Sequence, residues 1–227
     1  MALPPLAVSS NPNQRHSVTN LDTTSYLFLS TKSGDVVWLE GPHFFTQDLP
    51  WEDLIYALSN MCRYNGHINT FYSVAEHCVH MANYAEHRLG NIELAKDCLR
   101  HDLHESLCGD VPYPVKMLLP SWSNIIESRL EDMVVHRLDF HPSQEVIKQR
   151  KILDRRITGD ENEQLRNPSI WKTPEKLDIL IHAWSPQIAY REYALKFERY
   201  FPGVVDWKHN YYGVTPQDNI LMEHGGE

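Results

Sequence analysis

Two histidines and two aspartates, spread over three segments of the chain, constrain the fold more than any other feature of the sequence. His101 and Asp102 are adjacent, whereas His77 lies 24 residues before His101 and Asp154 lies 52 residues after Asp102. On one continuous helix, the two histidines would be about 36 Å apart. The four side chains can therefore meet only if the chain reverses at Gly90-Asn91 and a later helix brings Asp154 back to the same place.

The spacing of apolar residues predicts a mostly α fold with a small N-terminal β-hairpin. The hairpin is expected to pair residues 26–29 with residues 36–39. Ser73 and Glu76 are spaced as an N-cap and the third residue of a helix, so a helix is expected to begin there. The other predicted helices cover residues 50–62, 91–109, 122–139, 143–165 and 186–201.

The chain of 227 residues is long enough for one domain with a substantial core. Residues 1–24 are rich in Pro, Ser, Asn and Thr, which is typical of an arm outside the domain. Residues 203–227 show no clear period. The sequence thus predicts an N-terminal arm (1–24), one helical domain (25–202) and a C-terminal tail (203–227).

The formal net charge of −9 argues against a protein that binds a nucleic-acid polymer or a membrane surface, because such proteins present a basic face. No run approaches the ~20 apolar residues of a membrane span, and the first residues lack a signal-peptide pattern. The four cysteines lack metal-knuckle spacing, which favours buried free thiols over a disulfide pair. We therefore expect a cytoplasmic protein.

Two imidazoles and two carboxylates are a suitable ligand set for a catalytic divalent transition metal. Asp154 lies in an apolar register beside Leu153 and Ile157, where a charged side chain is costly unless it is paired or binds a metal. The alternative is that any one of the 13 histidines is a surface or core residue. That interpretation is kept for His80, His87, His104 and His136, although His104 is close enough to the pair to support the metal ligands.

Two carboxylates near the His-Asp pair are candidates for proton transfer. Glu105 follows His101 by four positions and Asp102 by three, which places it on the same face of a helix. Asp110 comes directly after Gly109, where the chain is expected to turn over the helix end. One carboxylate would orient the attacking water and the other would handle its proton. The alternatives are a solvated Glu105 and a turn-forming Asp110.

Longer motifs around these residues resemble the phage and bacterial branch of the HD-domain metal phosphohydrolases. The similarity covers about residues 35–200 and is carried by four runs: Arg63-Tyr64-Asn65-Gly66-His67, Phe71-Tyr72-Ser73-Val74-Ala75-Glu76-His77, His101-Asp102-Leu103-His104-Glu105-Ser106, and Gly109-Asp110-Val111-Pro112-Tyr113-Pro114-Val115-Lys116. It implies an HD-type helical bundle. The branch contains 5′-deoxynucleotidases and deoxynucleoside triphosphohydrolases, including enzymes that destroy dATP in phages with 2-aminoadenine DNA.

The resemblance also implies a role for individual residues. It implies the metal ligands His77, His101, Asp102 and Asp154, and the catalytic carboxylates Glu105 and Asp110. Arg63 matches an arginine that clamps phosphate, and Tyr64 stands where the family often has a tryptophan against the sugar. Lys116 matches a basic residue that pairs with distal phosphates, although an ordinary surface lysine is the alternative. Glu161 is expected to be a structural or supporting residue.

The function that the resemblance implies is a deoxynucleotide phosphohydrolase in which dATP gives deoxyadenosine and triphosphate. The alternatives are a 5′-deoxynucleotidase and a non-catalytic nucleotide-binding module. The expected metal is Co, Zn, Mn, Ni or Fe, with Mg accompanying a triphosphate. Asn65, Ile68 and Tyr72 are candidates for the base pocket because they lie between Arg63 and His77. A homo-oligomer is expected by analogy, and a phage-encoded chain would act in the host cytoplasm.

Overall fold

The computed structural model describes residues 26–119, 121–166, 175–214 and 216, apart from the side chains of residues 123 and 124. The predicted N-terminal arm (1–24) lies outside these ranges, as does the tail beyond residue 216. The described chain is mostly helical with one small hairpin, as the sequence predicts. Its helices are α1 Trp51–Asn60, α2 Val74–Asn83, α3 Ile92–Arg100, α4 Glu105–Cys108, α5 Tyr113–Leu118, α6 Ser128–Leu138, α7 Gln144–Leu165 and α8 Pro186–Tyr200.

The hairpin pairs strands β1 (Phe28–Ser30) and β2 (Val36–Trp38) in antiparallel register. Val37 points into the core, where it is fully buried. The turn between the strands is attached to α1, because the Asp53 carboxylate accepts hydrogen bonds from the backbone N–H and the hydroxyl of Ser33 at 3.1 and 2.6 Å. A two-stranded hairpin has little stability by itself, so this anchorage to the helices holds it in place.

The helix starts follow from local capping. The Ser73 hydroxyl accepts the backbone N–H of Glu76 at 3.0 Å, which confirms the predicted start of α2. The Asn91 side chain caps α3 in the same way by accepting the N–H of Leu94 at 3.0 Å. Gly90 immediately before it has a φ of 64°, a left-handed conformation that glycine adopts at little cost. The predicted reversal at Gly90-Asn91 is therefore confirmed.

Helix α2 lies at the centre of the bundle, where it contacts α1, α3, α7 and α8. All its residues from Val74 to Ala82 are buried, including His77. A polar side chain in the middle of such a helix must find its partners inside the protein. Among the described helices, none is long and apolar enough to cross a membrane. All four cysteines lie within the described ranges and are free thiols; Cys78 and Cys98 are buried as predicted, whereas Cys62 and Cys108 are only partly buried.

The predicted helix 91–109 is wrong in its second half. Helix α3 ends at Arg100, residues 101–104 form a turn, and α4 then runs only from Glu105 to Cys108. Helix α5 was not predicted, since Pro112 and Pro114 resemble loop residues. Pro112 is instead the N-cap and Pro114 lies in the first turn, where no backbone N–H is needed for a helical bond.

The predicted tail begins too early. Val205, Trp207 and Val214 are buried in the core. The indole N–H of Trp207 donates to Glu198 of α8 at 2.8 Å. Further hydrogen bonds attach this segment to α1, where Glu52 accepts two backbone N–H groups. Residues 203–214 therefore belong to the domain, although their irregular backbone gives no periodic signal.

Candidate metal centre

The four predicted ligands converge from three parts of the bundle. His77 lies in the middle of α2, His101 and Asp102 lie in the turn after α3, and Asp154 lies in α7. Ligand atoms of His77, His101 and Asp102 all lie within 4.8 Å of one another. Asp154 reaches the same place, with its Oδ1 3.2 Å from His77 Nε2. The reversal at Gly90 and the return of α7 thus bring together side chains that are far apart in the sequence.

Both histidines turn an unsatisfied nitrogen toward this centre. His77 Nδ1 donates to Glu161 Oε1 at 2.7 Å, and His101 Nδ1 donates to the carbonyl of Cys98 at 2.8 Å. When the imidazoles are neutral, these acceptors leave the lone pair on Nε2, which is the tautomer that a metal ligand requires. Both Nε2 atoms are buried and have no hydrogen-bond partner among the described residues.

Carboxylate oxygens face these two nitrogens. His101 Nε2 lies 3.1 Å from Asp102 Oδ2, and His77 Nε2 lies 3.8 Å from the same oxygen. Two electron pairs that face each other at such distances repel, unless a proton or a metal ion lies between them. The donor set therefore fits a divalent metal: the buried nitrogens and the carboxylates both need a positive charge at the point where they meet.

Glu161 binds the ring nitrogen of His77 that faces away from the centre. Its carboxylate is fully buried in α7 and also accepts the hydroxyl of Tyr72 at 2.9 Å and that of Tyr64. An Arg63 nitrogen, Nη2, lies 3.6 Å from Glu161 Oε2. Burial by itself raises a carboxyl pKa, but the charges of Arg63 and His77 and the hydrogen bonds from His77 and Tyr64 hold the pKa of Glu161 far below its ordinary value. Glu161 is therefore a structural residue that fixes the ring of His77, one of the two roles that the sequence predicts for it.

The charges around the centre favour a cation. Burial and Arg63 each lower the pKa of His77, but the charge of Glu161 and the hydrogen bonds to Asp154 and Glu161 together raise it to about 9. Without a metal, His77 therefore carries a proton at neutral pH, and a bound metal would displace that proton. Burial would raise the pKa of Asp102, yet His101, His77 and Arg63 together lower it well below the ordinary value. The field at the centre thus draws positive charge to the imidazole and keeps the aspartate ionised.

A buried ion-pair network holds α3 and α7 in register. Asp97 of α3 is fully buried and binds Arg100 of the same helix. Its other oxygen accepts Arg150 of α7 at 3.0 Å, one turn before Asp154. Both arginines also approach Glu131 of α6, at 3.4 and 3.7 Å. The network fixes the end of α3, next to the turn that carries His101 and Asp102, against the turn of α7 that precedes Asp154. No sequence motif signalled it.

Glu105 lies next to the centre in a negative environment. Its side chain is buried, and Oε2 has no hydrogen-bond partner in the described part of the chain. Burial, followed by the charges of Asp102 and Asp110, raises the pKa of Glu105 well above its ordinary value. Asp110 follows Gly109 and is half-buried. Both predicted carboxylates therefore belong to one electrostatic cluster with Asp102.

Lys116 is not an ordinary surface lysine. Its amine binds Glu127 and lies 3.5 Å from Glu105 Oε1. Burial alone would lower the pKa of Lys116, but these carboxylates raise it. The residue that the sequence places beside distal phosphates is thus held within the protein by two glutamates.

The five predicted substrate residues of the segment 63–72 fall into two groups. Arg63 is buried with Nη1 3.5 Å from Asp102, and Tyr64 is half-buried with Arg166 stacked on its ring at 4.9 Å. Asn65 is exposed, and Ile68 lines a small surface cavity with Gly66, His67, Asn69 and Arg166.

Tyr72 is different, because it is fully buried and its hydroxyl is bound to Glu161. This placement leaves it no surface with which to contact a base. A tyrosine in a loop is compatible with either position, so its burial was not predictable from the sequence.

No family model matches the chain. A search of curated proteins matches the uncharacterized protein YfdR of Escherichia coli (strain K12), which is 33% identical over 107 residues. The match covers 45% of this chain and 57% of YfdR, so the chain spans little more than half of the relative. The chain is thus similar to a protein whose name states no activity.

Proposed function

We propose that this protein is an HD-type metal-dependent phosphohydrolase that acts on deoxynucleotides. The observation that carries the proposal is the pair of buried Nε2 atoms of His77 and His101, which lack partners and meet the carboxylate of Asp102. Such an arrangement is costly in a folded protein unless a proton or a metal ion lies between the nitrogens and the carboxylate. The motifs that resemble the HD phosphohydrolases surround this centre.

The residues that would hold the metal are His77, His101, Asp102 and Asp154. Their mixed nitrogen and oxygen donors suit Co²⁺, Zn²⁺, Mn²⁺, Ni²⁺ or Fe²⁺. A bound ion of this kind supplies Lewis acidity, which polarises a phosphoryl oxygen and lowers the pKa of water. The Nδ1 bonds described above orient the two imidazoles for such a ligand role.

Arg63 is the residue best placed to bind a phosphate. Its guanidinium lies beside Asp102, and its Nε is buried without a hydrogen-bond partner among the described residues. The planar fork of an arginine matches the oxygens of a phosphoryl group and balances the charge that develops on them. Arg63 would thus bind the phosphoryl group next to the metal ligands.

Glu105 would orient the water. Attack of the water oxygen on the α-phosphorus forms one P–O bond and breaks the bond between that phosphorus and the 5′-oxygen of the nucleoside. Glu105 accepts the proton of the water, assisted by Asp110, and the departing 5′-oxygen takes up a proton. With dATP, the products are deoxyadenosine and triphosphate, whereas a deoxynucleoside monophosphate would give phosphate. We favour dATP because of the resemblance to the phage enzymes.

The test is product analysis with the purified chain in Mg²⁺ together with Co²⁺ or Mn²⁺. All four dNTPs, all four dNMPs and the ribonucleotides are offered in parallel, and phosphate and triphosphate are resolved. We expect deoxyadenosine and intact triphosphate from dATP. Phosphate from dNMPs alone would establish the 5′-deoxynucleotidase, and no turnover of any nucleotide would refute the hydrolase.

A variant identifies the source of the activity. Glu105→Gln keeps the size of the side chain and removes its basicity, so it is expected to lower kcat by about 10²- to 10⁴-fold. Glu145→Gln, on the exposed face of α7, is the matched control and is expected to retain the wild-type rate. Equal rates for the two variants would exclude Glu105 from the reaction and would favour a contaminating phosphatase.

A further inference from the structure

We propose that His104, Glu105 and Glu127 form a second divalent-cation site beside the first. One ligand atom from each of these residues lies within 4.8 Å of the others. His104 and Glu105 follow directly after the two ligands His101 and Asp102, while Glu127 comes from the π-helical turn Trp122–Glu127. The resemblance to the HD enzymes assigns no metal to His104 or to Glu127.

The state of His104 points to a ligand. The residue is 5% exposed, and its Nδ1 donates to the carbonyl of His101 at 3.0 Å. The lone pair is therefore on Nε2, which is buried and finds no hydrogen-bond partner within the described chain. This nitrogen faces Glu127 Oε1 at 3.8 Å. A lone pair directed at a carboxylate is the arrangement found at the first centre, and it is relieved by a cation in the same way.

Lys116 takes the place of that cation in the structure. Its amine binds Glu127 and lies 3.5 Å from Glu105, so it balances the negative charge of the two carboxylates. It leaves Nε2 of His104 without a partner. The lysine side chain is 23% exposed and has a flexible stem, so it can withdraw into solvent when a metal binds. Lys116 is thus an internal competitor of the metal.

The donor set decides which cation fits. One imidazole and two carboxylates suit Zn²⁺, Co²⁺ or Mn²⁺, whereas Mg²⁺ prefers oxygen ligands and keeps its waters. Glu105 would bind through Oε1, the oxygen that faces Lys116, which leaves Oε2 for the role proposed above. The site is defined by metal binding and does not depend on hydrolytic activity.

The experiment is a titration of the metal-free chain with Co²⁺, followed by visible absorption and by metal analysis of the dialysed protein. Wild type is expected to bind two ions per chain. His104→Asn keeps the donor to the His101 carbonyl but lacks Nε2, so it is expected to bind one. His136→Gln, on the exposed face of α6, is the matched control and is expected to bind two.

Two further variants separate this site from the first. Lys116→Met removes the competing amine and is expected to tighten Co²⁺ binding at the second site by about tenfold or more. His101→Asn removes a ligand of the first centre and is expected to leave the second ion bound. A single ion in both wild type and Lys116→Met, or equal stoichiometry in His104→Asn and wild type, would overturn the second site.

Discussion

Replacing Glu161 by glutamine is expected to weaken metal binding at the candidate centre by about 10- to 100-fold. Glu161 accepts the N–H of His77 at 2.7 Å, and no solvent reaches its carboxylate. A hydrogen bond from an imidazole to a buried anion raises the basicity of the opposite nitrogen, which is the atom directed at the metal. The substitution retains the shape of the side chain and removes the charge.

The structure sets the size of the effect. With its carbonyl at the position of Oε1, glutamine keeps the bonds from His77 and Tyr72, but its NH₂ group then faces the Arg63 guanidinium across the 3.6 Å gap. A hydrogen bond to a charged group contributes about 1.5–3 kcal/mol and one to a neutral group about 0.5–1.5 kcal/mol. Glu161→Gln loses that difference at His77 and also the attraction to Arg63. Together these losses correspond to about 1.4–2.8 kcal/mol of metal-binding free energy, or a 10- to 100-fold loss of affinity.

The assay is competition between the protein and a chromophoric chelator for Co²⁺, with the unfolding temperature of the metal-free protein measured alongside. Tyr72→Phe is the matched control, since it removes one neutral donor to the same oxygen and keeps the charge. We expect it to change the affinity by less than about threefold. If Glu161→Gln bound Co²⁺ as tightly as wild type, or if Tyr72→Phe lost as much, the charge of Glu161 would have no part in the site.

Three other substitutions test the fold around the centre. Asp97→Ala leaves Arg100 buried without its main counter-charge and is expected to lower the unfolding free energy in urea by about 3–5 kcal/mol. The control Asp48→Ala breaks an exposed pair and should lower it by less than about 1 kcal/mol. Equal losses would contradict the network. Burial alone would raise the pKa of Asp53, but the hydrogen bonds that its carboxylate accepts outweigh burial and bring the pKa below 3.8. Its contribution to stability is therefore complete well above pH 3.8 and is lost as the pH falls through the lower folded-state pKa, so Asp53→Asn should flatten the acid limb of the stability curve; an unchanged limb would argue against it. Gly109→Ala should lower the unfolding free energy by about 1–3 kcal/mol, because the φ of 87° and ψ of 151° at this position strain any residue with a Cβ. An unaltered unfolding midpoint would show that the turn relaxes.

The sequence located most of the helices because their signals are local. Ser73 caps α2 as predicted, α3 begins next to Asn91 where a helix start was predicted, and Gly90 reverses the chain. The break after Arg100 was missed, because residues 101–104 have no glycine or proline to mark it. Helix α5 was missed for the opposite reason, since Pro112 and Pro114 suggest a loop when their position in the first turn is unknown.

By itself, the sequence offered two histidines and two aspartates as metal-ligand candidates, chiefly through the resemblance of its motifs to the HD phosphohydrolases. The same resemblance predicted a structural or supporting role for Glu161. Only the tertiary structure decided how those side chains are oriented, since the tautomers of His77 and His101 depend on acceptors elsewhere in the fold.

The same holds for contacts between distant segments. The pairing of Asp97 with Arg150, the capture of Lys116 by Glu127 and the burial of residues 203–214 join parts of the chain that no local pattern connects. A capping residue acts through neighbours three positions away, so its effect can be read from the sequence. The partner of a buried charge is set by how whole helices pack, and that is decided only when the core forms.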